Sequence, residues 1–327
     1  MAKPFVHLHV HSQYSLLESS VRIDEALGKA KEFGQPALAI TDHGNMFGAI
    51  EFYLTAKKMG VKPILGCEIY IAPESRLVKG GSQGGRNFNP QSLGRLVLLA
   101  QNIQGYHNLC QIVSIGYTEG FYYKPRVDYE VLEKFNEGLI ALSSSPFGDV
   151  PSTFTNHGEE RALEKIRFFK KIFDDRFYLE IQRNGSPAWK GLEPFLVEAS
   201  RITATPLVAT NDVHYLNRDE SFAHEILMGI QSAKSLLDDK RPKMPSDQFY
   251  FRSSDEMEKL FDDIPQAYDE TSAIAERINL EFKFTDAKGN TIYHLPTFPS
   301  KDGRLMADEI KILAESGLEK RFEELAF

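Results

Sequence analysis

Short apolar runs alternate with longer amphipathic stretches through the first two-thirds of the chain. The runs "FVHLH" (5–9), "PALAIT" (36–41), "PILGCEIYIA" (63–72), "RLVLLA" (95–100), "GLIALS" (138–143), "FYLEIQ" (177–182) and "PLVAT" (206–210) have the length and composition of strands. Between them, 24–33, 47–59, 105–119, 159–173 and 188–202 read as helices. Gly34 and Gly60 stop the first two, because glycine accepts the left-handed backbone at a helix end. Seven strands alternating with helices predict an α/β fold with a parallel sheet, open or closed into a barrel. In either form ligands gather at the carboxyl ends of the strands. After residue 215 the pattern turns helical ("DESFAHEILMGIQSA"), then turn-rich around Pro242 and Pro245. An extended linker over 290–303 leads to an amphipathic helix from about 304.

Length and composition narrow the class. The 327 residues suit one large α/β domain with an appendage, or two domains. A net charge of −8 argues against a chain whose main task is coating nucleic acid, yet leaves room for a pocket that takes a phosphodiester end. Two cysteines, Cys67 and Cys110, cannot build a disulfide framework. With no signal-peptide pattern and no apolar stretch of membrane-spanning length, a cytoplasmic protein without membrane contact is expected.

Candidate chemistry collects at strand ends. His9 and His11 follow the first run, Asp42 and His43 ("TDHG") the second, Glu68 ("GCE") the third, and Asp212 and His214 ("TNDVH") the seventh. Alternate residues of a strand share a face, so His7, His9 and His11 should point the same way. Carboxylates mixed with imidazoles suit Zn²⁺, Mn²⁺ or Fe²⁺. Four such groups at carboxyl ends predict one pocket. A literal G-x-S-x-G at Gly80–Gly84 lacks the helix that a nucleophile elbow needs after Ser82, so no serine nucleophile is expected.

These residues carry a resemblance. "HLHVHSQYSLLE", "PALAITDHGNMFGAIEFY", "GVKPILGCEIYIA", "EGFYYKPRVD" and "VATNDVHY" resemble the polymerase and histidinol phosphatase (PHP) domain. More narrowly, with "FYFRSSDEM", they resemble its version at the amino terminus of the bacterial DNA polymerase III alpha subunit. The resemblance implies a distorted seven-stranded (β/α) barrel over residues 1–285 with a C-terminal helical extension. Residues 286–327 would be a linker and the start of the polymerase palm. It implies one metal on His9, His11, Glu68 and Asp212, and another on Glu18, His43 and His214, with Zn²⁺ or Mn²⁺ favoured. At the remaining two ligand positions stand Arg95 and Ser145, a guanidinium with no lone pair and a weak neutral hydroxyl, so the metal between them should be missing. Arg95 would then set a fixed positive charge beside Glu68.

The reading for function follows from that departure. In-line phosphoester hydrolysis usually wants two metals about 4 Å apart, so a partly degenerate, mainly structural metal site is expected. The module would serve a DNA-directed DNA polymerase that uses Mg²⁺, next to the rest of the alpha chain. The alternative is an active metal-dependent 3′–5′ exonuclease or phosphoesterase acting on a DNA 3′ end, alone or with a proofreading exonuclease subunit; a stand-alone phosphatase is a third reading. Asp42 either orients His43 from behind or caps a helix. His7 packs against the core or backs the ligands, and His107, His157, His224 and His294 are surface or satisfied helix residues. Cys67, Tyr14 and Phe47 are assigned to the interior, and the basic residues of 57–62 and 161–171 to solvated helix faces.

Overall fold

The structure, a computed structural model, describes residues 4–79, 93–293, 300 and 302–325. Ser82 with its G-x-S-x-G, and His294, lie outside these. The strands are β1 (Ala37–Ile40), β2 (Lys62–Ile71), β3 (Gly94–Ala100), β4 (Arg126–Val127), β5 (Leu139–Leu142), β6 (Phe177–Gln182) and β7 (Leu207–Thr210). They form one sheet in the order β1-β2-β3-β5-β6-β7, with the two-residue β4 attached to β2. Pairings β1–β2, β5–β6 and β6–β7 are parallel. β3 departs from the expected parallel pattern, running antiparallel to both β2 and β5. A parallel neighbour needs a crossover of a dozen or more residues, usually helical. The described part of the β2–β3 connection holds no helix to make it.

The first apolar run is not a regular strand but a stave. Ala39 and Thr41 donate N–H bonds to the carbonyls of His7 (2.9 Å) and Val10 (2.8 Å). On the other side Val213 donates to His9 O (3.1 Å) and His11 to Val213 O (2.9 Å). Residues 7–11 thus join β1 to the chain leaving β7 and curl the sheet closed. Alternate positions fill one core cluster: Val6 and Leu8 of the stave, Ala37 and Ala39 of β1, Val97 and Leu99 of β3, Ile140 and Leu142 of β5. Each large aliphatic side chain removed from water there contributes about 1.5–3 kcal/mol.

Helices α1 (Ile23–Glu32), α2 (Ala49–Met59), α3 (Ile103–Thr118), α4 (Tyr129–Phe135), α5 (Asp149–His157), α6 (Glu159–Phe173) and α7 (Trp189–Thr203) connect the strands. α8 (Ser221–Gln231), α9 (Ser254–Leu260) and α10 (Pro265–Arg277) follow β7, and α10 lays Ile274 and Ile278 on the core cluster. The side chain of Asn102 caps α3 by accepting from Gly105 N (3.0 Å). Gly105 itself is fixed by crowding, since a Cβ there would sit 1.8 Å from Gly138 O. Gly105→Ala should therefore cost about 1–3 kcal/mol as an overpacked site. Gly191→Ala in α7, with open space around it, should instead gain up to about 1 kcal/mol of helix propensity. Urea midpoints of the two variants check both signs.

Two compact units divide at Glu281 and Phe282. The second contains a turn closed by the Asp286 carboxylate on the backbone of Lys288 and Asn290, then α11 (Met306–Leu325), which buries none of its residues. No helix among the described residues is long and apolar enough to cross a membrane. One interior assignment fails: Phe47 is 61% exposed, because α2 begins only at Ala49 and leaves it on the preceding turn. Tyr14 is half-buried, its hydroxyl donating to Glu51 (2.6 Å), while Cys67 is fully buried.

Candidate metal centre

The stave and the strand ends bring all seven predicted ligands together. His9 Nε2 and His11 Nε2 lie 3.2 Å apart, as expected for alternate residues on one face. Asp212 Oδ1 is 3.1 Å from His11 Nε2, 3.2 Å from His214 Nε2 and 3.5 Å from His9 Nε2. Glu68 reaches the same group from the carboxyl half of β2, with Oε1 3.7 Å from His9 Nε2. His43, just past β1, places Nδ1 2.6 Å from Glu68 Oε2 and Nε2 3.2 Å from Glu18 Oε2. The His11 ring stacks between those of His43 (3.9 Å) and His214 (4.5 Å).

His7 turns out to be packing. It is buried with Nε2 on Arg252 O (2.8 Å) and its ring 4.3 Å from Phe251. Burial holds it neutral, lowering its pKa to about 4. The Asp42 carboxylate accepts from Ser12 N (2.6 Å), Ser12 Oγ (2.7 Å) and Ser15 Oγ (2.7 Å). Ser15 Oγ in turn accepts from the His43 backbone N–H (3.1 Å), so Asp42 holds the 12–15 turn against His43 through that serine. His107 and His157 are exposed; His224 on α8 is buried and bonded to Glu18 O (2.8 Å).

Further residues build the pocket around these ligands. Glu180, buried on β6, accepts from His9 Nδ1 and Gln182 Nε2 (both 2.7 Å) and from Thr210 Oγ1. A charged residue near the carboxyl end of a buried parallel strand was the available signal, because such strands are otherwise nearly all apolar. Lys124 Nζ pairs with Glu18 Oε1 (2.8 Å), and Ser144 Oγ donates to Glu68 Oε1. Arg95 Nη1 lies 3.4 Å from Glu68 Oε2, its guanidinium held between the rings of Tyr70 (5.7 Å) and Phe147 (5.2 Å). Ser145 Oγ is buried without a hydrogen-bond partner among the described residues.

Electrostatics divide the imidazoles. Burial, then the neighbouring His43 and His214, keep His11 well below the usual histidine range, so it offers a lone pair. Burial would also lower His9, but Glu180 and Asp212 outweigh it and raise it to about 10. Burial would raise Glu68, yet Arg95 and His43 hold it well below the carboxylate range. Four carboxylates (Glu18, Glu68, Glu180, Asp212) face two fixed cations (Arg95, Lys124). A ligating His9 must first give up the proton that Glu180 and Asp212 stabilise; with the imidazoles neutral, two negative charges then remain, which one divalent cation would balance.

The donor set fits such an ion. Asp212 Oδ1 and His43 Nδ1 are buried close to their neighbours yet complete no hydrogen bond of proper geometry. Bonds of about 2.0–2.1 Å to a tetrahedral Zn²⁺ would set ligand atoms about 3.4 Å apart. The 3.1–3.5 Å separations of His9, His11 and Asp212 bracket that value. Backbone strain collects here too: Leu17 (φ 61°), Ser144 (φ 68°), Tyr123 (φ 61°) and Asp212 (φ 53°) are left-handed non-glycines beside or within the pocket. Each costs of order 1–3 kcal/mol, held by surrounding structure as is usual at functional sites.

The PHP domain family matches residues 7–184, more than half the chain. The DNA polymerase III subunit alpha of Borreliella burgdorferi is 43% identical over 281 residues, covering 86% of this chain and 24% of that protein. That of Deinococcus radiodurans is 38% identical over 332 residues, covering 98% and 24%. The chain therefore spans about a quarter of the length of these relatives. Among solved structures, an amidohydrolase from Chromobacterium violaceum superposes with a TM-score of 0.42 at 12% identity, covering 64% of this chain and 87% of that one. With matched residues running from His7 through β6 and the ligand pocket built largely on them, the chain belongs to the PHP domain family.

Proposed function

We propose that this chain is the amino-terminal PHP module of a DNA polymerase III alpha subunit, over residues 1–285, with the linker and first part of the palm over 286–327. The parent enzyme would extend DNA with Mg²⁺, and the module would carry one divalent cation, Zn²⁺ or Mn²⁺, in a mainly structural role. The observation that carries this reading is Arg95 at Glu68, a fixed cation where a second metal would otherwise share that carboxylate. His9, His11, Glu68 and Asp212 would hold the ion, and Glu18, His43 and His214 stand ready beside it. When bound, the ion supplies Lewis acidity to a phosphoester oxygen and a water acidic enough to react near neutral pH. Glu180 fixes the His9 ring by accepting its Nδ1 proton, leaving Nε2 free to ligate. Lys124 and Arg95 bring positive charge to any phosphate entering the pocket.

A second reading, weak 3′–5′ hydrolysis of a DNA end, is favoured by the convergence of His43 and His214 on His11, which makes a further candidate ligand group sharing that histidine with the first. Elemental analysis with an anomalous-scattering map should find about one divalent cation per chain, on the His9–His11–Asp212 group. A purified chain that takes up no metal from Zn²⁺ or Mn²⁺ would remove the proposal. Glu180→Gln should weaken metal retention roughly 10–100-fold in competition with a chelator, as loss of a partner behind a ligating histidine does.

A further inference from the structure

The mispredicted Phe47 leads to a feature that the pocket does not use. Phe47 (61% exposed), Tyr117 (40%) and Phe121 (48%) form an aromatic ladder on the surface. Ring centroids are 6.4 Å apart from Phe47 to Tyr117 and 6.0 Å from Tyr117 to Phe121, the latter planes within 18°. Contiguous exposed apolar surface of this kind marks a contact site more often than chance.

Pro125 ties the ladder to the pocket. A Cβ on Gly44, next to His43, would lie 2.6 Å from the Pro125 ring, and one on Gly116, next to Tyr117, 3.4 Å from Pro125. The residue before it, Lys124, reaches Glu18 and lies 5.3 Å over the ring of Tyr70, which Arg95 shares at 5.7 Å. Pro125 thus connects the chain beside Tyr117 to Lys124, which together with Arg95 meets the pocket carboxylates Glu18 and Glu68. Glu119, between Tyr117 and Phe121, pairs with Arg76 (2.7 Å), which also pairs with Asp128 and Glu130.

We infer that Phe47, Tyr117 and Phe121 are a stacking platform for the last bases of a single-stranded nucleic acid, with Lys124 and Arg95 taking its phosphates at the pocket mouth. This rests on the reading of the pocket as a metal site for phosphoesters. Base faces stack on aromatic rings whatever the sequence, and a basic track beside them follows the backbone. A protein partner would also cover exposed rings, but would make no use of the two cations that share the Tyr70 ring next to Pro125.

The test is fluorescence anisotropy of the whole chain with a labelled dT12 strand and with a duplex of equal length, first with EDTA. The wild type should prefer the single strand, and Phe47→Ala/Phe121→Ala should bind dT12 about tenfold or more weakly. Phe47→Leu/Phe121→Leu, which keeps apolar area without a π face, should lose nearly as much, and Phe47→Trp should retain binding. Leucine variants that bind like wild type would overturn the inference in favour of an apolar docking face for protein. Unchanged dT12 affinity of the alanine variant would overturn it outright. Because these measurements are made without metal, the ladder effect can hold even if elemental analysis finds no cation, which would count against the metal reading alone.

Discussion

Chelation is expected to lower the melting temperature by about 8–16 °C, and the same loss should appear in His9→Ala and Asp212→Asn without chelator. An ion present at a thousand times its dissociation constant stabilises the folded state by about 4 kcal/mol. For a unit of this size each kcal/mol moves the midpoint by roughly 2–4 °C. The structural reason is the crowding of four carboxylates around four imidazoles: without a cation, their repulsion and desolvation fall on the stave and β7, which close the sheet. Adding Zn²⁺ or Mn²⁺ should restore the wild type and leave both variants low. Identical melting with and without chelator would show that Arg95 and Lys124 suffice as the pocket's cations and that no structural metal is needed.

Arg95→His with Ser145→Cys should raise the release of 3′ nucleotides from single-stranded DNA by a hundredfold or more in Mn²⁺. Charge explains why both changes are needed. With its imidazoles neutral as ligands, the natural pocket carries two uncompensated negative charges; removing the guanidinium and adding a thiolate makes four, which suits two divalent cations instead of one. A second cation beside Glu68 could then stabilise the leaving oxygen, worth several kcal/mol of transition-state charge. His43→Ala on the double variant should abolish the gain. A wild-type rate already equal to the variant's would make the pocket an ordinary nuclease site. An inert variant that nonetheless binds the extra metal would place the defect in substrate access.

Six of the seven expected strand runs became strands, because their apolar runs are long enough to be buried on both faces. The first did not: residues 7–11 must satisfy two neighbours at different heights, and only isolated bridges survive. The direction of β3 was hidden, since periodicity reports burial and says nothing of which way a strand runs. Short α4 and α5 carry too few turns for a pattern to register. At the site, histidines and aspartates next to glycine or at run ends were legible one by one. Glu180 and Lys124 lie far along the chain from the groups they meet, and only the folded chain shows them meeting His9 and Glu18. Phe47 was misplaced because the helix expected from residue 47 forms only from Ala49.

The closing stave also sets a schedule for synthesis. Its partners are Leu38 and Ala39, made soon after it, but also Val213, and Thr271 of α10, which accepts the Val6 N–H (3.2 Å). Residues made well before their partners are thus among the last to find their places. At about 5–20 residues per second, Phe5–His11 waits on the order of 13–50 s for α10 to be made, with its apolar side chains unpaired and three histidines exposed to whatever metal the cell offers. A nascent-chain arrest series should show protection of this segment from protease only after α10 has cleared the exit tunnel.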